Sequence, residues 1–437
     1  MKIPAWAHFS RIGAKEYIAV FCTTVFLALL LLIFSAFLPQ YLIQEHVVQS
    51  VDLVMEDLEN NFIFDKSESS QLDVFTDIMI LRMSLTTNDS YLGSVLTNPV
   101  YTYGDLPVWE GSGETLARLA YGEPADGVWF YTRYWMGFRA LVRMALTFFN
   151  YAQIKRYLSF LFLSLFAGTI CSVSKNTNSK IAFLFALSII LVRPHVMATS
   201  MQFTCCFLIA FTAMLLIPWL HRHGKWEGLF FMEVGMLTMY FDFYTVPLVT
   251  LGFPLMYLCI LKQEGATRNY GKDLLRDIIV WILGYGLMWV AKLGLTSLLT
   301  SENALADGFG SFFNRVGITR NMELEEYYSL HEAFEGIRKT VFSDDLGMVI
   351  YLLCAGVILA VVLWKVLRRE ASLGTFRNAL CYLFFAAMPI VWFVITRQPV
   401  AIHYFFQYRT IALTHWAAGV FLYYLLPAKN REFTPTT

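Results

Sequence analysis

Charge is what this sequence has least of. Asp, Glu, Lys and Arg make up 15% of its 437 residues, against 57% hydrophobic residues. A soluble chain of this length carries far more charge, because its surface must be wetted. Neither sign is in excess, since 33 basic residues meet 33 acidic ones, and that balance removes any electrostatic case for nucleic acid as a partner. Cysteine is missing where disulfides would matter. The cysteines at 22, 171, 205, 206, 259, 354 and 381 all lie inside or beside apolar stretches. The polar loops therefore hold no disulfide framework, and the spacing offers no metal-ligand pattern; these thiols read as small apolar filler. No internal repeat and no low-complexity tract is evident.

What is present is apolar length. Blocks of roughly 17–25 residues, enough to cross a hydrocarbon core of about 30 Å, recur along the chain. They cover 18–38, 157–174, 181–197, 203–220, 227–241, 244–261, 277–299, 347–367, 378–396 and 410–426. The first follows a basic leader with Lys2, Arg11 and Lys15 and ends in Leu38-Pro39-Gln40. It is too long for the apolar part of a signal peptide and lacks a small-residue cleavage site, so a retained anchor is expected. The short pair flanking Asp242 also suits a re-entrant hairpin.

Basic residues orient the blocks. With the N-terminus inside, the inner segments carry Lys175 and Lys180, then His221 to Lys225, then Lys262, Arg268, Lys272 and Arg276. Lys365, Arg368, Arg369 and Arg377 follow, and finally Lys429 and Arg431. Ten spans with both termini cytoplasmic satisfy the positive-inside rule throughout. The expected fold class is thus an all-α polytopic membrane protein, one membrane domain over 1–437. Two long loops, 39–156 and 300–346, fall on the extracytoplasmic side. In the first, 41–62 alternates apolar and acidic positions at helical spacing. Within 129–150, Trp135, Phe138, Val142, Ala145 and Phe149 recur every three or four residues, with Arg139 and Arg143 elsewhere on the helix. Such a pattern suits helices lying in the interface.

Polar side chains beside apolar blocks need a reason, because burying a charge at membrane depth costs roughly 2.5–3.5 kcal/mol. Asp77 lies in the mostly apolar run Phe75-Thr76-Asp77-Ile78-Met79-Ile80, where desolvation would raise its pKa into the range of a general base. A helix cap or surface acid is the plainer reading, and Asp73 is a weaker competitor. Arg133 and Tyr134 lie in Tyr131-Thr132-Arg133-Tyr134-Trp135-Met136-Gly137-Phe138, a planar guanidinium among aromatics. That suits phosphate and sugar rings, or an ordinary aromatic belt. Asp242 and Tyr244 lie in Phe241-Asp242-Phe243-Tyr244-Thr245-Val246-Pro247, where Pro247 can free backbone groups to line a polar cavity, or where Asp242 serves a simple turn. Arg193-Pro194-His195 ends the third block and Gln202 begins the fourth. His403 and Arg409 are about 600° apart on a helix, so only a loop or broken helix brings both to one anion. Lys292, deep in the seventh block, either meets a phosphate from below or snorkels. Asp77, Arg133, Arg193, Asp242, His403 and Arg409 map to one leaflet, a set suited to a doubly charged lipid phosphate and a hydroxyl acceptor.

Taken with the topology, these segments resemble the bacterial GT-C glycosyltransferase superfamily. In it a first span leads into a long outer loop with interface helices, and many spans follow. Asp77 in Thr76-Asp77-Ile78-Met79 matches the acid that the superfamily carries early in that loop. The segments 131–138, 241–248 and 403–409 are similar to stretches found in some bacterial members. The resemblance covers nearly the whole chain in topology and only short motifs in residues. It implies residence in a bacterial inner membrane, a polyprenyl-phosphate sugar as donor, and a cell-envelope glycan or glycolipid as acceptor. Asp77 would be the base, and Arg133, Tyr134, Arg193, Asp242, Tyr244, Lys292, His403 and Arg409 would bind substrate. Many members carry two adjacent acids, whereas three residues separate Asp73 from Asp77, so a divalent metal has no support from spacing and the cofactor is left open. A lipid-linked glycan flippase or transporter, a polymerase or ligase using a polyprenyl-diphosphate glycan, and a non-catalytic assembly subunit are the alternatives.

Overall fold

Away from water a backbone must satisfy its hydrogen bonds within its own segment, and this apolar chain does so almost entirely as helix. A computed structural model describes residues 12–86, 90–106, 112–264, 271–316, 328–342 and 373–425, with scattered positions between 349 and 364. Helix α1 (Ala14–Ala36) leads into a region of short helices: α2 (Gln40–Val48), α3 (Val51–Glu59), α4 (Val74–Leu85), α5 (Tyr91–Thr97), α6 (Ser112–Ala120) and α7 (Gly137–Leu146). Two strands, β1 (Pro99–Thr102) and β2 (Gly127–Phe130), pair antiparallel with Pro99 opposite Phe130. The bundle follows: α8 (Tyr151–Asn176), α9 (Ser179–Ile190), α10 (Pro194–Thr199), α11 (Met201–Arg222), α12 (Glu227–Phe241), α13 (Leu248–Glu264) and α14 (Gly271–Leu299). After α15 (Ala304–Arg315) and α16 (Leu330–Val341) come α17 (Leu373–Ile395), α18 (Arg397–Ile402), α19 (Tyr404–Gln407), a 3₁₀ turn (Tyr408–Ile411) and α20 (Ala412–Leu425).

Among the described residues, α1, α8, α11 and α14 are long and apolar enough to cross a membrane, and α9, α13 and α17 contribute shorter apolar helices. The apolar blocks expected from sequence therefore appear as helices, with one interruption. Where 181–197 was expected to run through, α9 stops at Ile190 and Arg193 takes a left-handed conformation at φ 58°. The expected span 347–367 falls largely outside the described residues. The helix expected over 129–150 is also shorter. Gly127–Phe130 goes into the strand, and the Asn98 amide donates to the Tyr131 and Tyr134 carbonyls at 3.0 and 2.8 Å, holding 131–134 out of helix.

Aromatic rings fill the centre of the bundle. Phe211 packs against Phe162 at 5.5 Å between centroids, and Phe185 lies 5.1 Å from Trp416, joining α8, α9, α11 and α20. A different device joins α12 to α14. A Cβ added to Gly235 would run into the Trp281 carbonyl oxygen, and one added to Gly284 into the Met232 carbonyl oxygen. Backbone thus meets backbone, the small-residue packing of membrane helices. Finally, the buried Arg143 donates to the carbonyls of Ser35 and Ser84, and to Gln40 Oε1 at 3.3 Å. One guanidinium fastens the end of α1 to the short helices that follow.

Candidate functional site

The starts of three helices meet at Asp77. Asp73 caps α4, accepting from Thr76 N at 3.1 Å and Thr76 Oγ1 at 2.6 Å. One turn on, Asp77 is 2% exposed and its Oδ2 accepts from the Tyr151 hydroxyl at 3.0 Å and from Met201 N at 3.4 Å. Tyr151 opens α8 and Met201 opens α11. Asp77 Oδ1 has no partner among the described residues.

Opposing influences act on this carboxyl. Burial pushes it up to about 7, against the pull of Lys155 one turn into α8, while the neighbouring Asp73 pushes upward. Lys155 is itself held by Asp57. The positive end of α11 and the Tyr151 hydroxyl favour the ionised form. The outcome is a carboxyl poised near neutrality, the condition for exchanging a proton at physiological pH.

Unbonded polar atoms flank its partner Met201 in sequence. Ser200, at the N-cap of α11, does not cap with its hydroxyl, although serine at that position ordinarily does. Neither side-chain polar atom of Gln202 has a partner among the described residues, and Gln202 is fully buried. His195 Nε2, Arg409 Nε and Thr410 Oγ1 are in the same condition. Buried polar groups are ordinarily satisfied, so a concentration of open ones calls for an explanation, a functional role among them.

Two arginines border this region. Arg409 is 1% exposed, donates to the Phe405 carbonyl at 2.9 Å and the Ser69 carbonyl at 3.2 Å, and lies 4.6 Å over the Phe203 ring. Its charge lowers the pKa of Asp73, though burial outweighs it and Asp73 stays raised. Arg193 pairs with Asp65 at 2.8 Å and donates to Ser70. A cavity of about 170 Å³ lies alongside, lined by Ser69, Arg193, Thr340, Tyr408, Ile411 and His415 among others. Arg193 and Arg409 thus meet at Ser70 and Ser69, and Arg409 reaches Asp73, one turn before Asp77.

A second cluster gathers most of the remaining sequence candidates around a residue that the sequence reading did not single out. Arg315, the last residue of α15, lies 5.2 Å over the Tyr134 ring and 5.3 Å over the Tyr244 ring. His403 is within its electrostatic reach. Arg133 lies beside them with its fork occupied, Nη2 donating to Asp307 Oδ1 at 2.9 Å and Nε donating to both Asp307 oxygens at 3.0 Å. Asp242 is 3% exposed and closes a turn, accepting from Thr245 N at 2.9 Å and Thr245 Oγ1 at 2.5 Å. The chain between α17 and α20 is broken into short helices, and His403 and Arg409 are served by different partners. A wall of Phe203, Phe405 and Phe406 stands between, with Phe406 5.1 Å from His403 and 5.3 Å from Phe203. Lys292 belongs to neither cluster; it donates to the Leu96 carbonyl and to Thr296 Oγ1 at 3.2 Å.

Backbone strain marks both clusters. Phe64, Arg193 and Tyr244, together with Met136, have φ between 58° and 70°. A left-handed non-glycine residue costs of order 1–3 kcal/mol, and such residues concentrate at functional sites. Among the described residues no group of three His, Cys, Asp or Glu side chains converges as a metal site would require. Compared with known proteins, the chain matches no family model, no curated protein and no solved structure. Fold and sites together define a helical protein of membrane character with buried ionisable groups gathered at helix ends.

Proposed function

We propose that this chain is a membrane glycosyltransferase of the GT-C type. In this reading it moves a sugar from a polyprenyl-phosphate donor to a cell-envelope glycan or glycolipid, on the extracytoplasmic face of a bacterial inner membrane. Ten spans with both termini inside complete the proposal. One observation carries it. The buried Asp77 has an unbonded oxygen, a pKa near 7, and neighbours of α11 whose polar atoms are also open.

Asp77 Oδ1 would take the proton of the acceptor hydroxyl. The freed oxygen would attack the anomeric carbon, forming the glycosidic bond as the bond from that carbon to the phosphate oxygen breaks. The electron pair would leave on the phosphate, and a single displacement inverts the anomeric centre. Arg409 and Arg193 would stabilise charge growing on that phosphate. Arg315, between the faces of Tyr134 and Tyr244, would contribute a second polar and aromatic subsite suited to a sugar or its phosphate.

The test uses purified full-length protein with radiolabelled polyprenyl-phosphate sugars and membrane-extracted acceptors. Transfer of label to the acceptor, absent with Asp77→Asn, supports the reading. Flux of the lipid-linked sugar across proteoliposomes with no covalent product would replace it by a transporter.

A further inference from the structure

Apart from both clusters, three basic side chains are buried near one another with no acid beside them among the described residues. Arg139 on α7, Arg143 one turn further and Lys292 on α14 are 3%, 4% and 0% exposed. Arg139 acts electrostatically on Lys292 and feels Arg143 in turn. Two of the three are occupied. Arg143 donates to three oxygens and Lys292 to two. Arg139 makes no hydrogen bond to any described residue, and its Nε is buried with no partner. Among the described residues no carboxylate acts on any of them, and Arg139 has the Tyr240 hydroxyl group as a favourable neighbour.

Such a charge cannot be relieved by losing a proton. Burial, followed by Arg143, moves the Arg139 guanidinium down only to about 9, so it is charged at neutral pH. An uncompensated buried cation is strongly destabilising, and the natural remedy is a bound anion. We infer that Arg139, backed by Arg143 and Lys292, binds the phosphate of a membrane lipid headgroup. A guanidinium fork suits a phosphate's paired oxygens. The position favours lipid as the source. Helix α7 packs against α1, whose Phe34 is 58% exposed, and the Phe37 ring lies tilted against the exposed Tyr91 of α5 at 4.6 Å. A tyrosine such as Tyr91 settles at headgroup depth. The inference does not depend on glycosyl transfer.

Full-length protein in neutral detergent is titrated separately with phosphatidylglycerol, phosphatidylcholine and inorganic phosphate, reading native mass spectra and Tm. One phosphatidylglycerol per chain and a raised Tm are expected, with binding weakened about tenfold or more in Arg139→Gln. Equal stabilisation by inorganic phosphate, lost in the same variant, would support the anion site and assign it to free phosphate. Equal phosphatidylglycerol binding by wild type and variant would overturn the site. Should Arg139→Gln fail to fold, Arg139→Lys should retain weakened binding, and a wild-type Tm indifferent to both anions would overturn the inference.

Discussion

The Tyr151 hydroxyl donates to one oxygen of Asp77 at 3.0 Å and leaves the other oxygen without a partner among the described residues. One edge of the carboxyl is thereby anchored while the other stays open to accept a proton. Replacing Asp77 by Asn keeps the size of the side chain and removes that capacity. Under the proposed sugar transfer, turnover is expected to fall by about 10²–10⁴-fold, with wild-type rate rising through about pH 7 as Asp77 ionises. Normal turnover in the variant would end the assignment.

The same carboxyl sets a pH signature on stability. Its folded pKa, about 7, exceeds the unfolded value near 4, so the folded state binds the proton more tightly. Wild type should lose stability as pH rises from about 4 to about 7, by at most roughly 4 kcal/mol, whereas Asp77→Asn is spared this loss. The Tm of the variant minus that of wild type should therefore grow across this window. A difference independent of pH would show that Asp77 is not desolvated.

Tyr151→Phe removes a hydrogen bond to the ionised form without opening a large cavity. The midpoint of the pH–rate profile should move upward, since the carboxylate loses a stabilising donor. Tyr151 would then be a positioning residue. A lower rate with an unmoved midpoint would point to damage elsewhere.

Arg315→Met keeps the apolar stem and removes the charge held between Tyr134 and Tyr244. Under the proposed sugar transfer, the KM for the lipid donor should rise about tenfold while kcat stays nearly constant, as expected for lost ground-state binding. An unchanged KM would exclude Arg315 from the donor site.

Gly235→Ala or Gly284→Ala should each destabilise the protein by about 1–3 kcal/mol, because the blocking atoms belong to backbone and the helices must separate. Gly286 and Gly294, on the same helix as Gly284, have nothing within 4 Å of an added Cβ, and their alanine variants should be neutral or slightly stabilising. Thermal melts of the four variants distinguish the two classes.

Apolar periodicity made most of the helices legible, because helix is what such sequence must form away from water. Asp77 was legible for a related reason: its apolar neighbours reported burial, here inside a packed short helix. The turn role of Asp242 was also local, since Thr245 stands three residues on and supplies both bonds. Long-range pairings were another matter. Arg133 looked like an open fork, yet its partner Asp307 is 174 residues distant, and no local pattern encodes that distance. Arg315 escaped notice because its tyrosines come from two remote segments. The break at Arg193 had a visible cue in Pro194, but apolar length outweighed it.

The clasp made by Arg143 bears on how this protein can be handled. It takes carbonyls from the first apolar helix and from α4, so residues 39–150 are not a detachable soluble lobe hung from an anchor. Excised, that stretch would keep a buried guanidinium while losing the Ser35 carbonyl. Bundle and lobe should mature as a single cooperative unit, and work on either will need the intact polypeptide.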